Sequence, residues 1–347
     1  MTMPTGELEA VVISADTGGA DESTGKVEGR SLWQLAWRRI KSSKVAMVSL
    51  IVIVLLLLIA IFAPVLTAIE GHDATTFNNG PDVISRGSLD LESTPGLPLP
   101  GFEKSSAEHW LGVEPQTGRD IFARMVFGAR VSLTIALAAT LFSVVVGSAL
   151  GAIAGYFGGA IDTVISRLMD LLLAFPQLLF LLTLTPILQA RLGNTFLGEG
   201  STLPIVSLVF ILGFFGWPYL ARIVRGQVLS LREREFVEAA RAVGAKPSRI
   251  IFKEIIPNVV AVVLVYATLT IPANITAEAA LSFLGVGVRD PTPSWGQMLN
   301  QSQSNNFYQL DPWYMLVPGT ALLITVLAFN LLGDAVRDAL DPRSGRS

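Results

Sequence analysis

The residues whose types and spacing could do chemistry lie in one charged stretch, Arg222 to Glu254, between two apolar runs. It carries eight Lys/Arg and four Asp/Glu, so hydrocarbon excludes it. At its centre Glu238-Ala239-Ala240 sets a carboxylate beside two small side chains. Glu238 offers a charge-assisted hydrogen bond, and the alanines let a partner surface come close. Val237, Ala240 and Val243, with Ala239 and Ala242, recur at helical spacing and predict a short amphipathic helix. Gly244 is placed to end it in the left-handed conformation. Lys246-Pro247-Ser248 restarts the chain, with Ser248 the expected N-cap of a second helix running past Pro257 into the next apolar run. A solvated loop is the plain alternative. Apolar runs on both sides favour a docking site for another protein over nucleic acid, because acids interleave with the bases.

Other chemistry finds no support. The chain has no cysteine, which removes disulfides, thiol catalysis and Cys-based zinc sites. Its two histidines, His72 and His109, fall in a presumed outer loop; Glu70, His72 and Asp73 read as a solvated cluster rather than a metal site. No H-E-x-x-H or G-x-S-x-G stands in a working context. Gly19 to Lys26 is a failed phosphate loop: its spacing is wrong and Val27 stands where a hydroxyl residue is needed. The chain reads as no enzyme, and any ATP hydrolysis belongs to a partner.

The elements that must position the charged stretch are spans. The 347 residues are 51% apolar and 15% charged. Six runs lack Asp, Glu, Lys and Arg: 45–69, 131–161, 171–190, 201–221, 255–277 and 313–333. A crossing takes about 20 such residues, so six transmembrane helices are expected. The second run is long enough to include an interfacial turn at Gly155–Gly159. Arg30, Arg38, Arg39, Lys41 and Lys44 precede the first span without an acid, placing the N-terminus in the cytoplasm. Residues 70–130 then lie outside, nine acids against five bases, and 222–254 inside.

Residues 1–30 read as a disordered cytoplasmic tail. Residues 31–44, with Trp33 and Trp37 beside basic residues, suit an interfacial helix on membrane lipid, and 31–69 form a unit with the first span. Thr117–Val131 predicts an amphipathic extracytoplasmic helix with Arg119, Arg124 and Arg130 near the interface. Gly147, Gly151, Gly155 and Gly159 form a four-residue row that allows close helix packing, expected within the chain rather than as a homodimer seam. Pro176, Pro186, Pro204, Pro218, Pro272 and Pro318 interrupt four of these runs. The charge-free spans argue against a proton-coupled carrier and for a wide, unspecific passage.

Glu238-Ala-Ala-Arg-Ala-Val-Gly244, with Pro257 thirteen residues after the glycine, resembles the EAA loop of ABC-importer permeases. Glu254 departs from that pattern where an apolar residue is expected. Gly112 to Leu133, Gly155 to Phe175 and Leu281 to Leu299 are similar to the C-type permease of dipeptide/oligopeptide/nickel importers. The resemblance spans roughly Trp33 to Pro342. It implies an all-α polytopic membrane protein with the type I ABC-importer permease fold. Residues 70–130 would be an extracytoplasmic insertion near the translocation entrance, and 131–347 a five-helix core with coupling loop 222–254.

The same resemblance implies a homologous B-type permease, two ABC ATPases carrying ATP and Mg, and an extracytoplasmic solute-binding protein, with no cofactor in this chain. Glu238, Ala239, Ala240, Arg241, Gly244 and Pro257 would couple to the ATPases. Pro291, Pro293, Ser294 and Trp295 would form an outer gate or binding-protein contact, with Trp295 alternatively an interface anchor. The location implied is the prokaryotic inner membrane, both termini cytoplasmic. Peptides are the default substrate, with nickel or another small solute as the alternative. A secondary carrier or a non-transport scaffold is the rival class.

Overall fold

The computed structural model describes residues 32–76, 98, 105–192 and 202–340. The expected tail, 1–30, residues 77–97 and 99–104 of the insertion and the last seven residues lie outside the described residues. Among the described residues the regular elements are helices, and Val113 and Asp120 share one isolated antiparallel bridge.

The chain enters through α1 (Leu32–Ser42) and α2 (Lys44–Ile61). Ser43 separates them and caps α2, its hydroxyl accepting from Ala46 N. Lys41 Nζ sits 5.2 Å from the ring centre of exposed Trp37, an arrangement suited to the headgroup level. Val48, Ile51, Val54, Leu55 and Leu58 are exposed along α2, the aliphatic surface that lipid solvates. A short α3 (Ala63–Glu70) follows and ends on Gly71 in the left-handed conformation.

The next helix, α4 (Ile121–Phe157), is 37 residues long, well beyond one crossing. The separate outer helix expected over Thr117–Val131 does not form. Asp120 caps α4 by accepting from Ala123 N, and nothing after it breaks the ladder, so the amphipathic segment becomes the outer turns of the span. The expected turn lies at Gly158 and Gly159, both with positive φ, while Gly155 stays helical.

Two helices, α5 (Gly159–Ala174) and α6 (Gln177–Leu192), then meet at 90°. Pro176 forces the break: it lacks an N–H and pushes Phe175 into extended backbone. The run expected as one straight span is therefore a bent pair. Among the described residues five helices are long and apolar enough to cross a membrane, or six spans if the bent pair counts as one. The remaining elements are α7 (Thr202–Leu231), α8 (Glu235–Ala242), α9 (Pro247–Arg249), α10 (Ile256–Phe283), α11 (Trp295–Ser304), α12 (Phe307–Leu310) and α13 (Pro312–Leu340).

The closest helix pair is α4 with α7, and the glycine row makes it so. A Cβ at Gly147 would lie 2.8 Å from Trp217 O, one at Gly151 2.5 Å from Ala221 O, and one at Gly155 2.8 Å from Val228 Cβ. Each is closer than a real Cβ stands. The row is thus a seam within the chain, except that Gly159 has no neighbour and serves the turn. Ser143 Oγ donates to Gly213 O at 3.0 Å across the same seam. A second core joins Ile53 of α2, Leu133 and Ala136 of α4, Ile275 of α10 and Phe329 of α13.

The seam predicts a contrast between two glycines of the same helical pair. Gly151→Ala should destabilise the protein by about 1–3 kcal/mol through forced helix separation. Gly226→Ala, which meets nothing within 4 Å, should be neutral or gain up to about 1 kcal/mol from lower backbone entropy. Thermal unfolding in detergent reads both; equal behaviour would remove the seam from the account.

Candidate functional site

At the end of the bundle that carries the charged stretch, α8 packs chiefly through Val237, with half-buried Ala240 beside it. Val237 is fully buried against Val224 and Val228 of α7 and Ile250, Ile251 and Ile255 of the segment leading to α10. Gly244, at φ 75°, closes the helix: its N–H donates to Arg241 O at 2.9 Å and Ala245 N to Ala240 O at 3.0 Å. This paired closure satisfies two carbonyls that would otherwise be orphaned, as the glycine predicts. Two expectations fail nearby. Val243, placed on the packed face by spacing, is 84% exposed, because it lies beyond the last helical turn. Ser248 is not the N-cap: Lys246 takes that position, with Pro247 at the first helical residue, where its fixed φ fits and no N–H is needed.

Between α9 and α10 the ladder widens into a π-helical turn, Ile250–Ile255, and Ile256 N–H bonds back to Ile251 O. Pro257 explains it: lacking an N–H, it cannot bond Lys253 O, and its ring crowds that carbonyl. The departing residue Glu254 sits on this turn. Its carbonyl accepts from the side-chain amide of Asn258 at 2.6 Å.

Glu238, Ala239, Arg241 and Gly244 are all exposed, and Ala240 is half-buried. Around them Phe236, Val243 and Phe252 are exposed apolar side chains, which water disfavours. Glu235 and Glu238 stand in the first turn of α8, where the helix dipole favours an anion. Arg241 turns back with its guanidinium carbon 5.3 Å from the centre of the Tyr156 ring at the foot of α4. Arginines tie the other feet together. Arg225 pairs with Asp162 of α5, Arg222 reaches Asp170 at 2.7 Å, and Arg232 donates to Gly155 O at 3.2 Å. A push on α8 is therefore delivered to α7 and α10 through Val237, and to α4 and α5 through the arginines.

The end of the bundle where α4 begins holds a polar lock that sequence reasoning missed. Arg119 and Arg124 were expected near the interface; both are buried, in a cluster balanced by Glu114 and Asp290. Arg119 donates to Glu114 at 2.5 Å and to Asp290 at 2.8 Å. Arg124 donates to Gln297 at 2.8 Å and Gln301 at 2.9 Å, and the Tyr314 hydroxyl bonds Glu114 at 2.7 Å. Ion pairing and hydrogen bonds to all but the Arg124 Nε make the buried charges tolerable. The sequence signal was two arginines five residues apart, with Asp120 beside the first, at the edge of an apolar stretch.

The expected gate residues divide. Pro291 is exposed, whereas Pro293, Ser294 and Trp295 are buried. Ser294 caps α11 by accepting from Gln297 N, and Trp295 Nε1 donates to Met125 O at 3.1 Å. Trp295 is therefore a strut between α4 and α11 rather than an interface anchor. Glu278, one residue past the charge-free run, is fully buried in α10 and accepts from Ser282 Oγ at 2.8 Å.

A second outer contact clasps α3 to the segment before α4. Trp110 N donates to Glu70 Oε1 at 3.0 Å, His109 Nδ1 lies 2.7 Å from Asp120 Oδ2, and the His72 and His109 rings stack at 4.1 Å. Among the described residues no three His, Asp or Glu converge as metal ligands.

The helix order and the long apolar helices define a multi-span membrane protein. Residues 147–346 match the family described as binding-protein-dependent transport system inner membrane component. Residues 31–81 match the N-terminal TM domain of oligopeptide transport permease C. The chain is 42% identical to the dipeptide transport permease DppC of Alkalihalophilus pseudofirmus, over 90% of each chain. It is 38% identical to the oligopeptide transport permease OppC of Bacillus subtilis over 95% of each, and 39% to OppC of Escherichia coli over 92% of this chain and 93% of that one. The chain belongs to the C-type permeases of the dipeptide/oligopeptide ABC-importer family.

The outer clasp carries a pH signature. Burial pushes the Glu70 carboxyl from 4.5 up to about 7, against the pull of the Trp110 N–H, and the nearby Asp120 charge adds to the rise. A carboxyl whose folded value is raised binds its proton more tightly folded than unfolded. Stability should therefore fall as pH rises from 4.5 through about 7, then level. Thermal unfolding across this window should slope downward in the native chain, and Glu70→Gln should flatten that part of the slope. An unchanged slope in the variant would assign the effect elsewhere.

Proposed function

We propose that this chain forms half of the translocation pathway of an ATP-driven peptide importer in the prokaryotic inner membrane. Both termini face the cytoplasm. Its partners are a homologous B-type permease, two cytoplasmic ABC ATPases that hold ATP and Mg, and an extracytoplasmic solute-binding protein. The chain itself holds no cofactor and performs no hydrolysis. The relatives named for dipeptide and oligopeptide transport support the peptide substrate.

The observation that carries this reading is the exposed apolar patch of Phe236, Val243 and Phe252 around Glu238-Ala239-Ala240. It lies on a helix whose inner face is locked to the spans. A groove on the ATPase receives the helix: the alanines permit close approach, and Glu238 supplies a charge-assisted hydrogen bond. Arg241 braces the helix from behind and Gly244 sets its exit angle. Pro257 keeps the π-helical turn that joins the helix to α10. ATPase closure moves α8 as a rigid body, and Val237 carries the movement to α7 and α10, which switches access between the two sides. On the outside the exposed Pro291 meets the binding protein, while Pro293, Ser294 and Trp295 hold the segment's shape.

Two variants test the coupling. Val243→Asp places a charge on the patch without touching the core. Loss of one buried interface anchor costs about 2 kcal/mol, so ATPase co-purification and ATP-driven uptake should fall more than tenfold. Gly244→Val forces a branched residue into a left-handed backbone, costing about 1–2 kcal/mol or more, and should weaken docking at unchanged membrane insertion. Normal uptake by both well-inserted variants would remove the assigned role.

A further inference from the structure

We propose that a polar cleft between α7 and α10 is the wall along which the peptide main chain passes; this rests on the import reading above. The cleft has a volume of about 670 Å³; its polar lining residues are Gln177, Tyr219, Tyr266, Thr270, Asn274 and Arg337, and the other half of the lining is apolar or glycine. Tyr219 is 59% exposed near the middle of α7. Its ring stacks on Tyr266 at 6.3 Å and 18°, and the Tyr266 hydroxyl donates to Gly216 O at 3.2 Å. The Asn274 amide donates to Thr140 Oγ1 at 2.9 Å, fixing the side chain at the edge of the cleft.

The polarity decides the occupant. Surfaces of the spans turned toward lipid are aliphatic: Val48 and Ile51 on α2, Leu141 and Val145 on α4, Leu323 and Leu327 on α13. Hydroxyls and amides facing hydrocarbon go unpaired at a cost of several kcal/mol each. Tyr266, Thr270 and Asn274 are bonded within the chain, so exposed Tyr219 and Gln177 are the groups on this mid-span face that call for water or a polar guest. The face is concave, which suits a guest passing through it rather than a flat partner helix.

The recognition chemistry follows from the residue types. Phenol, amide and hydroxyl groups bond main-chain N–H and C=O groups alike, whatever the side chains between them. No carboxylate lines the cleft to select one side-chain charge, and its only charge is the cation of Arg337. Arg337 attracts the terminal carboxylate of an arriving peptide. The wall reads the backbone and leaves side-chain choice to the binding protein.

The chain has no cysteine, so single cysteines report cleanly. In the assembled importer in membrane vesicles open at the cytoplasmic face, a membrane-impermeant sulfonated maleimide should label Tyr219→Cys. Labelling should run about tenfold or more faster than at Leu141→Cys, because hydrocarbon excludes the charged reagent. A mixed di- to pentapeptide digest, with binding protein and ATP, should slow the Tyr219→Cys labelling several-fold and leave Leu141→Cys unchanged. Equal labelling at the two positions overturns the cleft as an aqueous wall, and fast labelling without peptide protection overturns the peptide contact. Peptide-stimulated ATP hydrolysis by the unmodified complex is measured first. Its absence counts against the import reading, whereas hydrolysis with unreactive Tyr219→Cys counts against this site alone.

Discussion

The close approach of α4 and α7 along Gly147, Gly151 and Gly155 is the contact on which the other positions depend. In lipid no water is squeezed out when two helices meet, so packing relies on dispersion between closely set backbones. Three missing Cβ atoms let α7 lie against α4 at a distance no larger residue permits. With α7 so placed, Arg225 and Arg232 fall beside Asp162 and the Gly155 carbonyl, and Val224 and Val228 offer the surface that receives Val237. Separating the two helices would disperse the arginine ties and the seat of the cytoplasmic helix together.

From that seam the molecule divides its labour by side. The end that carries α8 packs through apolar residues, chiefly Val237 of this eight-residue helix, and leaves Phe236, Val243 and Phe252 exposed. Such a helix has too few residues to be stable alone, so its shape is borrowed from the spans, and movement imposed on it passes back to them. The outer end is held by charge instead. Glu114, Arg119, Arg124 and Asp290 join the segment before α4 to α11 and α13, and Trp295 adds a strut to the same helix. A polar lock of this kind favours two discrete arrangements over gradual deformation, which suits a part that opens and closes.

The spans were legible because charge is expensive in hydrocarbon, and its absence marks every crossing. Gly244 was legible for an equally local reason, since a helix of exposed polar residues needs a residue that accepts positive φ. Local rules failed where a choice depended on contacts distant in sequence. Asp120 and the uninterrupted ladder after it merged the expected outer helix into α4, and Pro176 bent a run whose apolar composition concealed the break. Arg119 and Arg124 read as interfacial because their partners Asp290, Gln297 and Gln301 lie more than 170 residues away. Val243 shared the periodicity of Val237 yet faces water, because the helix ends one residue too soon to turn it inward.

The central claim is that the cytoplasmic helix seats an ATPase. The most direct measurement is purification of the native chain from its own membrane in mild detergent, with chemical cross-linking from Ala239→Cys to whatever accompanies it. The account predicts a second permease and ATPase subunits in the complex, with the cross-link joining Ala239→Cys to an ATPase. This chain alone, transporting in liposomes without ATP, would contradict it.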